Sequence, residues 1–506
     1  MANSGEEKKP RNRKNIVQYR GVDEGKDFDY NADEIHFAFC DNLVILYKDE
    51  DGEQVKFEHF VQRSQEPKSG FALFDHQLVD NLTNMNVKSM RPSQIATMQA
   101  TFFEPPAKEM MGPPDLLCIS STGSGKTIAY LYVMIQKCLD RIKTLPSGTL
   151  RTPMVLIFVS SGPLVDNIFQ TAAKLTKGTD VKVERIAGRT QFIRCPFFDI
   201  GICTAGRFIN HFYPDGNYVK LDVTDLKYLV IDEGDEMSTD HDFLKIVKDL
   251  KAKANFATFL FSATINCSAH SLTNEQNFYA FGGGKINQVA ASIKTFFWPI
   301  SLMSYSRISG AYNNGTINNN AYKEDELRHP FDALYHFVQQ FLFDSTENKK
   351  KVIIFVKKMV VANLLALRLS LYGFPAVSVN GNNDPKINEE FLQKFVDGKC
   401  RILFATNMLT RGTDIDVEYV VNYDLPIEYD QWVHRCGRTG RNGKTGVAIT
   451  FVDMNFYGSE YPRTTLQKIA LNIDDGRPLP LFMQSFVEEV KRQQQYTASH
   501  LNDEDE

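Results

Sequence analysis

The chain has 506 residues, with 57 Lys and Arg against 62 Asp and Glu, for a net charge of −5 with neutral histidines. That length suits about two to four domains, and the slight acidity excludes a protein held to nucleic acid by bulk positive charge. Hydrophobic residues at 43% and charged residues at 24% exclude a wholly disordered or fibrous chain.

The opening stretch, MANSGEEKKPRNRK, is polar and lacks the apolar segment of a secretory signal. Residues 1–30 are expected to form a solvated arm, with a phosphate-contacting arm through Lys8, Lys9, Arg11, Arg13, Lys14 and Arg20 as the alternative. A membrane-spanning helix needs about 20 mostly apolar residues. The longest strongly apolar runs, such as Met154–Val159 and Val352–Val356, are far shorter, so no membrane association is expected. The eight cysteines show no CxxC pair or metal-ligand spacing, which points to reduced thiols in the cytoplasm or nucleus.

One strand, Leu43–Tyr47, is predicted before residue 71. Beyond it a rhythm begins. Short apolar runs fall at Leu116–Ile119, Val155–Val159, Ile200–Cys203, Tyr228–Ile231 and Thr258–Phe261, and after a gap at Val352–Val356, Ala376–Val379, Ile402–Ala405, Tyr419–Asn422 and Val447–Phe451. Unalternated runs of this length suit strands buried on both faces of a parallel sheet. Between them, Ile128–Leu139, Leu164–Leu175 and Val361–Leu371 have helical apolar spacing. The prediction is α/β with parallel sheets flanked by helices, in two domains. The Asn-rich stretch 311–320 marks the linker, and the NDEDE end a solvated tail.

Ser120-Ser-Thr-Gly-Ser-Gly-Lys-Thr127 lies between a predicted strand and a predicted helix, the setting of a phosphate-binding P-loop. Ser120, Ser121, Thr122, Gly123, Ser124 and Gly125 would wrap backbone N–H groups around phosphate oxygens. Lys126 would reach the terminal phosphates and Thr127 would offer its hydroxyl to Mg²⁺. Ser120 stands where the strict pattern has glycine. Val230-Ile-Asp-Glu-Gly-Asp235 ends the next candidate strand in acids. Asp232 suits a metal-coordinating carboxylate, through water, and Glu233 the base that deprotonates an attacking water. In His434-Arg-Cys-Gly-Arg-Thr-Gly-Arg441, Arg438 and Arg441 suit fork contacts to phosphate.

With Ser262-Ala-Thr264 and Arg411-Gly-Thr-Asp414, these segments stand in the order found in DEAD-box RNA helicases of superfamily 2, which the chain resembles over roughly residues 71–455. Arg477-Pro-Leu-Pro-Leu-Phe482 before a helix is similar to the end of the Vasa/Ded1-like subgroup. The resemblance implies two tandem RecA-like domains that close around ATP, Mg²⁺ and a single RNA strand. It implies that Lys126, Asp232, Glu233, Arg438 and Arg441 carry hydrolysis and that Asp414 touches the ribose of ATP. Ser262 and Thr264 would couple nucleotide state to RNA through Asp235 and His434. Gly188, Thr204, Gly206, Arg207, Thr406 and Arg411 fall at RNA-facing positions. Phe74 is the upstream aromatic of the adenine-reading element, whose glutamine position holds Ala96, with Gln94 or Gln99 as substitutes.

The family's PTREL is Ser160-Ser-Gly-Pro-Leu164 here, its QxxR is Pro385–Asn388, and its tetrad alanine is Gly234, the last reading as a small change. The expected organisation is an extension over 1–70, partly disordered; a RecA-like domain over 71–300; a linker with an inserted loop over 301–325; a second RecA-like domain over 326–460; and a C-terminal extension over 461–506. The expected activity is ATP-dependent unwinding or remodelling of single-stranded RNA, short duplexes or RNPs, with protein cofactors, in the cytoplasm, nucleus or RNP granules. An ATP-dependent RNA clamp or scaffold, in a germline or small-RNA pathway, is the alternative; a DNA helicase ranks below both.

Overall fold

A computed structural model describes residues 43–48, 54–57, 74–87, 90–102, 115–120, 123–188, 196–214, 218–264, 272, 277–283, 288–290, 292–302, 327–343, 349–407, 415–441, 444–454, 463–473, 479–484, 486–488 and 492. The N-terminal arm, the Asn-rich stretch, the acidic tail and the site candidates Ser121, Thr122, Arg411 and Asp414 lie outside these residues.

The first sheet is formed by β1 (Leu43–Lys48), β2 (Gln54–Phe57), β3 (Asp115–Ser120), β4 (Val155–Phe158), β5 (Val183–Ile186), β6 (Ile200–Cys203), β7 (Tyr228–Asp232), β8 (Ala257–Ser262) and β9 (Asn277–Gly283). The second contains β10 (Ile293–Ile300), β11 (Val352–Phe355), β12 (Ala376–Val379), β13 (Ile402–Ala405), β14 (Tyr419–Asn422) and β15 (Gly446–Asp453). Among the described residues the orders are β2-β1-β9-β3-β8-β7-β4-β6-β5 and β10-β15-β14-β11-β13-β12. Every pairing is parallel except those of β1 with β2 and with β9.

The unalternated runs are explained by which face each side chain enters. Val155 and Ile157 of β4 join the apolar cluster on one face of the first sheet, and Leu156 and Phe158 join the cluster on the other. In the second sheet Ile353 and Phe355 of β11 face one cluster, Val352 and Ile354 the opposite one. Successive strand residues point to opposite faces, so a strand covered by helices on both must be apolar throughout. The helices begin where the chain supplies caps. Asp240 accepts from the Phe243 amide at 3.0 Å ahead of the helix His241–Lys251, and Asp384 accepts from the Lys386 amide at 2.8 Å with Pro385 in the first turn.

Two boundaries move relative to the sequence reading. Residues 293–300, expected at the end of the first domain, pair in parallel with Gly446–Asp453 and belong to the second sheet. Strand Leu43–Lys48, expected in an extension, pairs antiparallel with Asn277–Gly283 and extends the first sheet. β10 does not read as a buried parallel strand because Ile293, Thr295 and Phe297 are buried while Lys294 and Phe296 are exposed, and Pro299 closes the short apolar run Phe296–Trp298.

Candidate nucleotide and coupling site

The motif segments meet because their strands are neighbours. β3, β8 and β7 lie side by side, and the P-loop, Ser262-Ala-Thr264 and Glu233–Asp235 all follow their carboxyl ends. Open parallel sheets bind ligands at that edge.

Gly123 and Gly125 have φ of +79° and +87°, backbone that only glycine adopts without strain. The helix Lys126–Thr144 starts directly after them. Ser120, in place of glycine, shares a 2.8 Å hydrogen bond with the Ser124 hydroxyl and so ties the two ends of the loop. Lys126 Nζ donates to the Ser120 carbonyl at 2.7 Å. Burial lowers the Lys126 ammonium below its ordinary range, opposed by the charges of Asp232, Glu233 and Asp235.

Asp232 ends β7 and is 6% exposed. Burial raises its carboxyl, and the Lys126 charge pulls it back down. The Tyr130 hydroxyl, one helical turn from Thr127, donates to Asp232 Oδ2 at 2.8 Å. Glu233 takes left-handed backbone, φ 56° and ψ 51°, and its Oε2 accepts from the Ser160 hydroxyl at 3.1 Å. Sequence reasoning missed both hydroxyls. Tyr130 lies one helical turn beyond Thr127, a spacing that could have revealed it. Ser160 occupies the proline position of PTREL.

Asp235 is the junction. Its Oδ1 accepts from Ser262 Oγ at 2.7 Å, and its Oδ2 from Thr264 Oγ1 at 2.9 Å and His434 Nε2 at 3.0 Å. All four residues are at most 5% exposed. The first three stand on the first sheet's side, whereas His434 lies in the helix Tyr429–Cys436 that follows β14 of the second. Arg441, 8% exposed, packs its stem on the P-loop: a Cβ at Gly123 would lie 3.2 Å from Arg441 Cγ. Arg438 is 4% exposed. Arg435, ahead of both in sequence, has a structural part. Its guanidinium donates to Asn407 Oδ1 and the Asp424 carbonyl, and burial brings it down to about 10.

Four expectations are corrected. Phe74 is not available to a base: it is 6% exposed, its ring centroid 4.9 Å from that of Tyr132 and 5.6 Å from that of Phe102. Gln94 is 2% exposed and both ends of its amide are engaged within the chain. Its Oε1 accepts from the Arg91 amide at 2.8 Å and its Nε2 donates to the Gly125 carbonyl at 3.3 Å, which makes it a brace under the P-loop. Arg207 does not project from the surface. The helix Ala205–Phe212 turns it inward, 6% exposed, with its guanidinium 5.3 Å from the centre of the Tyr218 ring. Of the other RNA-facing candidates, Gly206 lies exposed in the first turn of that helix, Thr204 precedes it as the cap, Gly188 follows β5, and Thr406 is buried after β13.

Gly234 is the fourth correction. A Cβ there would stand 2.5 Å from Leu260 Cδ2 and 2.6 Å from its Cγ. Leu260 is wholly buried in β8 and cannot swing aside. Gly234→Ala, which would restore the family tetrad, is therefore expected to lower stability by ~1–3 kcal/mol through overpacking. Denaturant titration checks this. Adding Leu260→Val should recover part of the loss, and an unchanged midpoint in Gly234→Ala would refute the crowding.

Two parallel α/β units, a P-loop, an acid pair on the strand one beyond its neighbour and arginines from the second unit define a tandem RecA-like P-loop protein. Family models agree: "DEAD/DEAH box helicase" matches residues 94–272 and "Helicase conserved C-terminal domain" matches 331–443. The chain belongs to the DEAD-box family. It is 28% identical over 385 residues to a frog protein named "Probable ATP-dependent RNA helicase DDX4" (Pelophylax lessonae), covering 73% of this chain and 48% of that one. To "ATP-dependent RNA helicase vasa" of Drosophila melanogaster it is 25% identical, covering 83% and 57%. The chain thus spans about half the length of the curated relatives it matches. The fold matches "S. cerevisiae Dbp5 bound to RNA and ADP BeF3" with a TM-score of 0.60 and 20% identity, covering 83% of this chain and 98% of that one.

Proposed function

We propose that the chain is an ATP-dependent RNA helicase of the Vasa-like kind, coupling ATP binding and hydrolysis to RNA binding and local strand separation. The observation that carries the proposal is Asp235, whose single carboxylate joins Ser262 and Thr264 of one unit to His434 of the other. Such a junction lets the acids that act on ATP report the closure of the two units, which is what coupling requires.

Lys126 and the backbone of Gly123–Gly125 would bind phosphate oxygens, Glu233 would hold and deprotonate the attacking water, and Arg441 and Arg438 would neutralise charge on the transferred group. Thr127 and Asp232 offer one hydroxyl and one carboxylate, the latter held by Tyr130. That hard-oxygen set fits Mg²⁺, which binds through one or two carboxylates and the substrate's phosphates rather than in a protein cage. When bound, the ion would neutralise phosphate charge. Contacts to sugar and phosphate, with the 2′-OH separating RNA from DNA, would account for binding without a basic chain. A cytoplasmic, nuclear or granule-bound location belongs to the same proposal. The free, buried thiols of Cys118, Cys138, Cys203, Cys400 and Cys436 support a reducing compartment.

The test is ATP hydrolysis with single-stranded RNA and with DNA of the same sequence, beside separation of a short RNA duplex. RNA should stimulate turnover and DNA should not. Equal stimulation by DNA would overturn the RNA assignment. Tight ATP-dependent RNA retention without strand separation would favour the clamp.

A further inference from the structure

The helix Met359–Leu371 carries two apolar faces. Ala362, Leu365, Ala366 and Leu369 are buried against the second sheet. On the opposite side Val360, Leu364, Leu367 and Leu371 are 60%, 59%, 58% and 72% exposed. Scattered exposed aliphatics are ordinary, but four at successive spacings of 4, 3 and 4 residues make one continuous stripe on a single helix. Spacing of that kind is the seam by which two helices pack side by side.

We propose that this stripe is the interface of a two-fold symmetric dimer, in which the helix pairs antiparallel with the same helix of a second copy. The spacing is unchanged by reversal. A two-fold axis between Leu365 and Ala366 sets Val360 against the partner's Leu371 and Leu364 against the partner's Leu367. A closed interface between identical subunits demands such self-complementarity.

The charges agree with the antiparallel arrangement. The exposed Lys357 and Lys358 lie at the helix N-terminus. In the dimer each pair sits by the partner's helix C-terminus, the negative end of the helix dipole, which favours cations, and the two lysine pairs stand at opposite ends of the seam. A parallel pairing would bring all four ammonium groups together. Arg368, the other cation of the helix, is folded back with its guanidinium 3.5 Å from the centre of the Phe331 ring. The Asn363 side chain is likewise engaged in its own subunit, accepting from Asn380 Nδ2 at 2.8 Å. No acidic residue lies between Met359 and Leu371 to oppose the pairing. Covering the stripe on both copies removes roughly 1,000 Å² from water, at the low end of specific interfaces, which gives a concentration-dependent rather than an obligate dimer.

Sedimentation equilibrium of the full chain without nucleotide tests this. The weight-average mass should climb from one chain toward two across the micromolar range. The L364E/L367E double variant should stay at one chain at every concentration, with an unchanged circular dichroism spectrum because both positions already face water. Lys358→Glu should weaken association by about two- to fivefold per symmetric contact. A mass fixed at one chain throughout overturns the proposal, as does a dimer that survives the double variant. A photo-crosslinking side chain placed at Leu367 identifies the occupant in cells. Capture of a second copy of this chain supports the dimer, and capture solely of a different polypeptide overturns it.

Discussion

Glu233→Gln is expected to lower RNA-stimulated ATP turnover by roughly 10²–10⁴-fold, the usual contribution of a positioned general base, while ATP and RNA still bind. Glutamine keeps the shape and the acceptor oxygen but cannot take a proton. The site is built to hold this one carboxylate. The left-handed backbone at Glu233 turns the chain sharply between β7 and the short helix Gly234–Met237. Its side chain therefore leaves in a different direction from that of Asp232, which is tied to Tyr130. The Ser160 hydroxyl then fixes one of its oxygens. Ser160→Ala removes a charge-assisted hydrogen bond to the carboxylate but leaves the base itself, so its loss should be about ten- to a hundredfold, in line with ~1.5–3 kcal/mol for a hydrogen bond to a charged group. Rates with saturating RNA, read beside fluorescent-nucleotide binding, check both. Full turnover in Glu233→Gln would remove Glu233 from the role, and a Ser160→Ala defect as deep as that of Glu233→Gln would show the hydroxyl doing more than positioning.

The parts of the molecule legible in the sequence are those where one physical constraint dominates. Central strands such as Val155–Phe158 and Val352–Phe355 must be apolar on both faces, and they announce themselves. The P-loop does so too, because its backbone demands glycines where φ is positive. Edge strands such as Val183–Ile186 and Ile293–Ile300 are less completely buried, and Glu184, Arg185, Lys294 and Pro299 interrupt their apolar positions and hide them. Side-chain direction was the least legible. Arg207 and Phe74 sit at motif positions, yet the first is turned onto Tyr218 and the second packs between Tyr132 and Phe102. A motif gives the register of the chain, but neighbours distant in sequence decide what a side chain touches. Gly234 shows the same thing: its exchange for alanine looked minor until Leu260, 26 positions further on, was found in the space of the missing Cβ.

Asp235→Ala is expected to uncouple the two halves of the site more completely than loss of any one of its partners. Removing the carboxylate leaves the donors of Ser262, Thr264 and His434 in a buried setting at once. Each stranded donor costs about 1–3 kcal/mol when water cannot reach it. The first two can relax within their own sheet, but the His434 bond spans the cleft, so its share of the penalty falls on the closed arrangement alone. Asp235→Ala should therefore cut turnover at saturating RNA by at least tenfold and weaken the dependence of RNA affinity on ATP, while ATP binding to Lys126 and the P-loop persists. His434→Ala should reproduce part of the loss of coupling, with little effect on the stability of the first unit. The decisive measurement is a double-mutant cycle on ATP turnover between positions 235 and 434. Residues that share a hydrogen bond show non-additivity of about 0.5–3 kcal/mol, whereas independent sites add to within about 0.3–0.5 kcal/mol. Strict additivity would mean that the 3.0 Å contact contributes nothing to the rate-limiting state. Coupling would then have to run through the packing of Arg441 on Gly123 instead, where Arg441→Ala would be the variant that separates ATP binding from closure.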